Sequence, residues 1–100
     1  LAFAQKRTAV FSMLSDKDID GVLEIVKDQF DEWYIAPLDV PRGMTAEALQ
    51  AKLEAQNIEN IQTFTSVREA YRAALAKAGE NDRIVVFGSF HTVADVMAAL

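Results

Sequence analysis

No cysteine occurs among the 100 residues. Disulfides, thiolate metal sites and cysteine nucleophiles are therefore excluded, and a reducing compartment, the cytoplasm, is the expected location. The chain has one histidine, His91. With no thiolate to help it, a zinc site is not expected, and no metal ligand is assigned. No apolar run approaches the roughly 18 residues of a membrane-spanning helix, and no basic-apolar-small leader opens the chain, so no membrane partner is expected. Basic residues are few, ten against fifteen acidic ones, for a net charge of −5. That balance argues against a phosphate-tracking surface and against nucleic acid as a partner. Neither G-x-G-x-x-G nor G-x-x-x-x-G-K-[ST] is present, so the common dinucleotide and triphosphate cradles are missing.

What remains is a globular composition. Half the residues are hydrophobic and a quarter charged, which suits one domain of ordinary size. Folding at this length buries roughly two-thirds of the chain's surface. The start at L-A-F-A-Q-K-R, with no turn or cap before it, suggests a piece of a longer protein.

Apolar periodicity alternates along the chain. Thr8–Leu14 reads as a buried strand. From Asp18, the positions Ile19, Val22, Leu23, Val26 and Phe30 keep one helical face. Trp33–Ile35 is a second strand. Pro37, Pro41 and Gly43 mark a loop. Thr45 can cap a helix over Ala46–Gln56 with Leu49 and Leu53 inward. Ile61–Thr65 is a third strand. Ser66 and Glu69 match a capping box before a stripe of Val67, Ala70, Tyr71, Ala74, Leu75 and Ala78, which Gly79 can end. Ile84–Phe87 is the fourth strand. Thr92 with Asp95 matches a second capping box, with Val93, Val96, Met97 and Leu100 as the last stripe. The order β-α-β-α-β-α-β-α, with strands apolar on both faces, predicts an α/β fold. It is a Rossmann-like, open, mainly parallel sheet with helices on both faces, forming one domain over residues 1–100.

In such sheets ligands bind beyond the carboxyl ends of the strands. Four loops are thereby selected: Ser12–Asp18, Ala36–Gly43, Thr65–Ser66 and Gly88–Thr92. They carry Lys17, Arg42 and His91, and helix N-termini add N–H donors, so a cationic, anion-binding edge is expected. In S-D-K-D, Asp16 or Asp18 can cap the next helix. Lys17 either reaches a ligand or is simply solvated. In P-L-D-V-P-R, Arg42 either forks onto a carboxylate or phosphate or pairs with Asp39 across the turn. In G-S-F-H-T, Gly88 permits close backbone approach, and Ser89 with the next N–H groups can hold a carboxylate. The bland alternative is a strand exit capped by Thr92. A serine hydrolase is not expected, because the second glycine of a nucleophile elbow is missing and no separate histidine exists. Asp16, Asp18 and Asp39 could imitate a receiver's acidic pocket, but the lysine such a pocket needs after the last strand is replaced by Ser89 and Phe90.

Three of these loops carry a family resemblance. F-S-M-L-S-D-K-D-I-D-G-V resembles the F-G-M-L-x-D-K-D segment of bacterial folylpolyglutamate synthase/dihydrofolate synthase. Y-I-A-P-L-D-V-P-R and V-V-F-G-S-F-H-T-V-A-D-V resemble the family's next loop and its G-S-F-Y-T-V-type strand exit, in the same order. The resemblance implies the C-terminal, glutamate-side domain of a Mur-ligase-type enzyme. Such an enzyme activates a pteroate or folate carboxylate as an acyl phosphate, which the amino group of L-glutamate then attacks. It implies ATP and Mg2+ in the intact enzyme, bound mainly by N-terminal and central domains that would be this domain's partners. The family's P-loop does not occur in these residues, and its D-G-A-H-N-P segment would lie just before Leu1. No cofactor and no catalysis are expected of the stretch alone. It implies glutamate contacts at Ser89 and Lys17; Arg42 and His91 are further candidates from their place in the loops, not from the family's motif. Asp16, Asp18, Asp39 and Gly88 would organise the loops. Ser12 stands where the family often has glycine, and His91 where it often has tyrosine. A stand-alone anion-binding regulatory module is the alternative reading.

Overall fold

The computed structural model describes residues 5–88 and 90–98. Ser89 and the side chains of Phe90, His91, Asp95 and Ala98 lie outside the described set. Eight elements alternate: β1 (Arg7–Phe11), α1 (Ile19–Val26), β2 (Glu32–Ile35), α2 (Ala46–Ala55), β3 (Ile61–Thr63), α3 (Val67–Lys77), β4 (Arg83–Phe87) and α4 (Phe90–Ala98). The four strands form one parallel sheet in the order β3-β2-β1-β4. Every expected element is present, and the α/β class is as expected.

Strand alternation divides the core in two. On one face Ala9, Phe11, Trp33 and Ile35 meet Ile19 and Leu23 of α1 and Leu49 and Leu53 of α2. Phe11, Trp33, Phe30 and Phe87 form an aromatic cluster there, with ring centroids 4.9–5.9 Å apart. On the other face Val10 and Tyr34 meet Val67, Ala70 and Ala74 of α3 and Val96 of α4. The helices therefore cover both faces, as a parallel sheet requires. Coverage fades at the edges. Val85 of β4 remains 40% exposed, because an edge strand has a neighbour on one side only.

Local chemistry sets the helix starts. Asp18, not Asp16, caps α1, its Oδ1 accepting the Gly21 N–H at 3.1 Å. Thr45 Oγ1 accepts from Ala48 N–H, and Ser66 Oγ from Glu69 N–H. The carboxylate of Glu69 accepts from the Thr65 hydroxyl.

Several boundaries differ from the sequence reading. β1 stops at Phe11, because the polar groups of Ser12 and Met13 bond to loops instead of continuing the ladder. Thr92 does not cap α4. It lies inside the helix, which starts at Phe90, and its side chain is buried. Leu75, Val93 and Met97 point outward, since α3 and α4 pack on the sheet through Val67, Ala70, Ala74 and Val96.

Candidate functional site

Parallel strands bring all four β-to-α loops to one edge of the sheet. The first two are fastened together. Met44 N–H donates to Met13 O at 3.1 Å, and Ser15 N–H donates to Arg42 O at 2.7 Å. Between them Leu14 and Gly43 form an isolated antiparallel bridge. Arg42 adopts a left-handed backbone, with φ of 71°, which is unusual for a side chain of this size. That turn aims the Arg42 carbonyl at Ser15. Its guanidinium Nη1 reaches Asp16 Oδ2 at 2.9 Å. Gly43 follows where a Cβ would sit 2.1 Å from the Leu38 carbonyl oxygen.

The fourth loop joins at Ser12. Ser12 is wholly buried, and its Oγ donates to Ala36 O at 2.7 Å, just past the end of β2. Its own carbonyl accepts from Thr92 Oγ1 at 3.1 Å. Gly88, with φ of 131°, lies directly over the same peptide. A Cβ there would come within 1.8 Å of Ser12 O.

The sequence-predicted residues are thus distributed as follows. Arg42 meets Asp16, not Asp39, because the clasped loops place Asp16 beside it. Lys17 is exposed in the same loop, and its ammonium makes no ion pair among the described residues. Asp39 is exposed, and its carboxylate makes no hydrogen bond or ion pair among the described residues. Gly88 is the close-approach point just described. His91 is the second residue of α4. Ser89 and the His91 side chain lie outside the described residues.

The edge is less cationic than expected. Asp16 offsets Arg42, and Asp18 is committed to the helix cap. Lys17 and the helix-opening N–H groups that the Asp18, Thr45 and Ser66 caps do not use lie on this edge. Sequence reasoning missed Ser12 and Thr92 as the junction of the loops. The signal was a polar residue at the end of an apolar run, which reads equally well as a strand exit.

Among the described residues no cluster of three or more His, Asp or Glu side chains is disposed to hold a metal ion. No helix among them is long and apolar enough to cross a membrane. A groove of about 540 Å3, lined in part by Phe30, Trp33 and Ile58, lies at the opposite edge of the sheet and contains none of these residues.

The Mur ligase, glutamate ligase domain family matches residues 1–90. The chain belongs to that family. It is 48% identical over 92 residues to dihydrofolate synthase/folylpolyglutamate synthase of Escherichia coli K12, covering 92% of this chain and 21% of that protein. A solved structure of E. coli FolC in complex with DHPP and ADP superposes with a TM-score of 0.86 at 47% identity, over 98% of this chain and 22% of that one. A bifunctional folylpolyglutamate synthase/dihydrofolate synthase with Mn, AMPPNP and L-glutamate bound superposes with a TM-score of 0.82 at 45% identity, over 95% and 22%. The chain thus spans about a fifth of the length of these relatives. The alternative of a stand-alone regulatory module finds no support in them.

Proposed function

We propose that this chain is the glutamate-side domain of an ATP-dependent ligase that joins L-glutamate to dihydropteroate or folate through an acyl phosphate. The observation that carries the reading is the convergence of the three family-like loops. Segments separated by up to 80 residues in sequence, from Ser12 to Thr92, are bonded into one edge. The likeness to enzymes that carry this name, one of them holding L-glutamate, supports it.

Each proposed contact follows from chemistry. Glutamate brings two carboxylates and an amine. The free Lys17 ammonium suits one carboxylate. The Ser89 hydroxyl and the first N–H groups of α4 suit the other. Arg42 spends one N–H on Asp16, but guanidinium has five such donors, and this side chain is 71% exposed. It can hold its loop and still meet a carboxylate. His91, at the opening of α4, is a further candidate on the same side. Asp16 and Asp18 organise the Lys17 loop. ATP and Mg2+ would be held mainly by the N-terminal and central domains of the same cytoplasmic chain. Closure of this domain on those two would bring the amine to the acyl phosphate and exclude water.

The test uses the full-length enzyme, assayed for ADP release that requires both L-glutamate and a pteroate or folate acceptor. Release without a glutamate requirement discards the ligase reading. Ser89→Ala should raise the glutamate KM or lower kcat. If both stay at wild-type values, the site assignment is wrong and the ligase reading survives.

A further inference from the structure

One buried residue, Ser12, joins the three family-like loops. Ser12 O accepts the Thr92 hydroxyl, carries Gly88 stacked on its peptide, and belongs to the residue whose Oγ grips Ala36. Ser12 and Thr92 are both wholly buried, so neither hydroxyl touches a substrate. Yet each bond has a position with consequences. The Thr92 bond fixes the first turn of α4 against the exit of β1. The Ser12 Oγ bond ties the β1 exit, which leads to Lys17, to the β2 exit, which leads to Arg42. Side chains from three loops must meet one small amino acid, so their relative placement sets its binding.

We infer that Thr92 and Ser12 are positioning residues that set the enzyme's affinity for its amino-acid substrate. The inference rests on the glutamate-side reading given above.

Thr92→Val and Thr92→Ser separate positioning from folding. Valine keeps the shape and removes the hydroxyl. Serine keeps the hydroxyl and removes a buried methyl group. Both should lower stability, but only the hydroxyl should matter to glutamate. In the full-length enzyme, Thr92→Val should raise the glutamate KM about tenfold, the scale of one lost buried hydrogen bond. The KM values for ATP and for the folate acceptor should stay within twofold of wild type. Thr92→Ser should keep the wild-type glutamate KM despite a lowered Tm. A Thr92→Val enzyme with an unchanged glutamate KM overturns the inference. So does a Thr92→Ser enzyme whose KM rises as far as that of the valine variant.

Should Thr92→Val not fold, Ser12→Ala carries the test. It leaves the carbonyl that Thr92 grips and removes the tie to Ala36. A rise of about threefold in glutamate KM, with ATP unaffected, supports the positioning role. An unchanged KM removes it. The wild-type control keeps the two claims apart. If wild type releases ADP with no need of glutamate, the ligase reading fails. If wild type needs glutamate and the variants leave its KM unmoved, only the positioning claim fails.

Discussion

The two ends of the sheet are held by different chemistry. At the carboxyl edge the loops are joined mainly by neutral bonds, Thr92 to Ser12, Ser12 to Ala36, and Met44 to Met13, with the exposed Arg42–Asp16 pair beside them. At the amino edge the fastenings are charged and only partly buried. Lys6 pairs with Glu32 at 2.6 Å and Arg7 with Asp31 at 3.6 Å. Asp82 accepts N–H bonds from Gly79 and Lys6, while Asp31 accepts the Arg7 N–H. Neutral buried bonds respond little to salt or pH, whereas exposed ion pairs respond to both. The edge proposed to hold substrate is thus the one built to keep its shape across conditions.

The largest expected effect breaks the carboxyl edge. Gly88→Ala forces a Cβ into the Ser12 carbonyl from a backbone at φ of 131°. Both the clash and the left-handed backbone oppose it. A loss of about 3 kcal/mol or more is expected in denaturant unfolding, in the range of substitutions with a named steric cause. A change below about 1 kcal/mol would mean that the junction at Ser12 yields easily.

The next effect acts on the amino edge through pH. The Gly79 and Lys6 N–H groups hold the Asp82 carboxyl below its ordinary range. A depressed carboxyl contributes stability above its unfolded pKa, and that stability is lost as pH falls through the folded value. Lys6 is held above its ordinary value chiefly by its hydrogen bond to Glu32. Its contribution is present below the unfolded pKa and lost as pH rises through the folded one. Acid should therefore loosen the amino edge first. Amide exchange at Lys6, Gly79 and Arg83 should quicken on acidification before exchange at Met44 and Ala36 does, after correction for intrinsic rates. Asp82→Asn should flatten that acid response. Equal loosening at both edges would erase the contrast.

Much of this architecture is legible in the chain, and the exceptions share a cause. Periodicity locates the four strands and four helices because each must bury a face, and Asp18, Thr45 and Ser66 mark helix starts by short-range bonding. What eludes the sequence is long-range. Asp39 is three residues from Arg42 and Asp16 is twenty-six away, yet Asp16 is the partner. The residues Leu14 and Gly43 meet because a tight turn and the sheet's parallel order bring two loops together. Thr92 resembles a cap by spacing, but the sharp turn at Gly88 lets the helix start earlier and sends the hydroxyl into the core. Apolarity also does not separate a central strand from an edge. β1 and β4 read alike, but β1 is buried along most of its length and β4 is not. For the proposed site, the loops that gather at the carboxyl edge are legible in the sequence, whereas their fastening at Ser12 needed the fold.

The smallest stability effect concerns the ion pair between the first two loops of the carboxyl edge, Arg42 to Asp16. Both side chains are substantially exposed, so their double-mutant coupling should be below about 1 kcal/mol and should shrink further with added salt. Loop closure does not depend on it, because the Ser15–Arg42 and Met13–Met44 backbone bonds survive in either variant. The same pair distinguishes a fastening from a ligand. If Arg42 serves only to hold its loop, Asp16→Asn and Arg42→Ala should shift the glutamate KM equally. If its remaining donors meet a substrate carboxylate, Arg42→Ala should raise that KM severalfold while Asp16→Asn leaves it near wild type. Stability stays almost level in both variants, so a difference in KM reports contact with substrate and not damage to the loop.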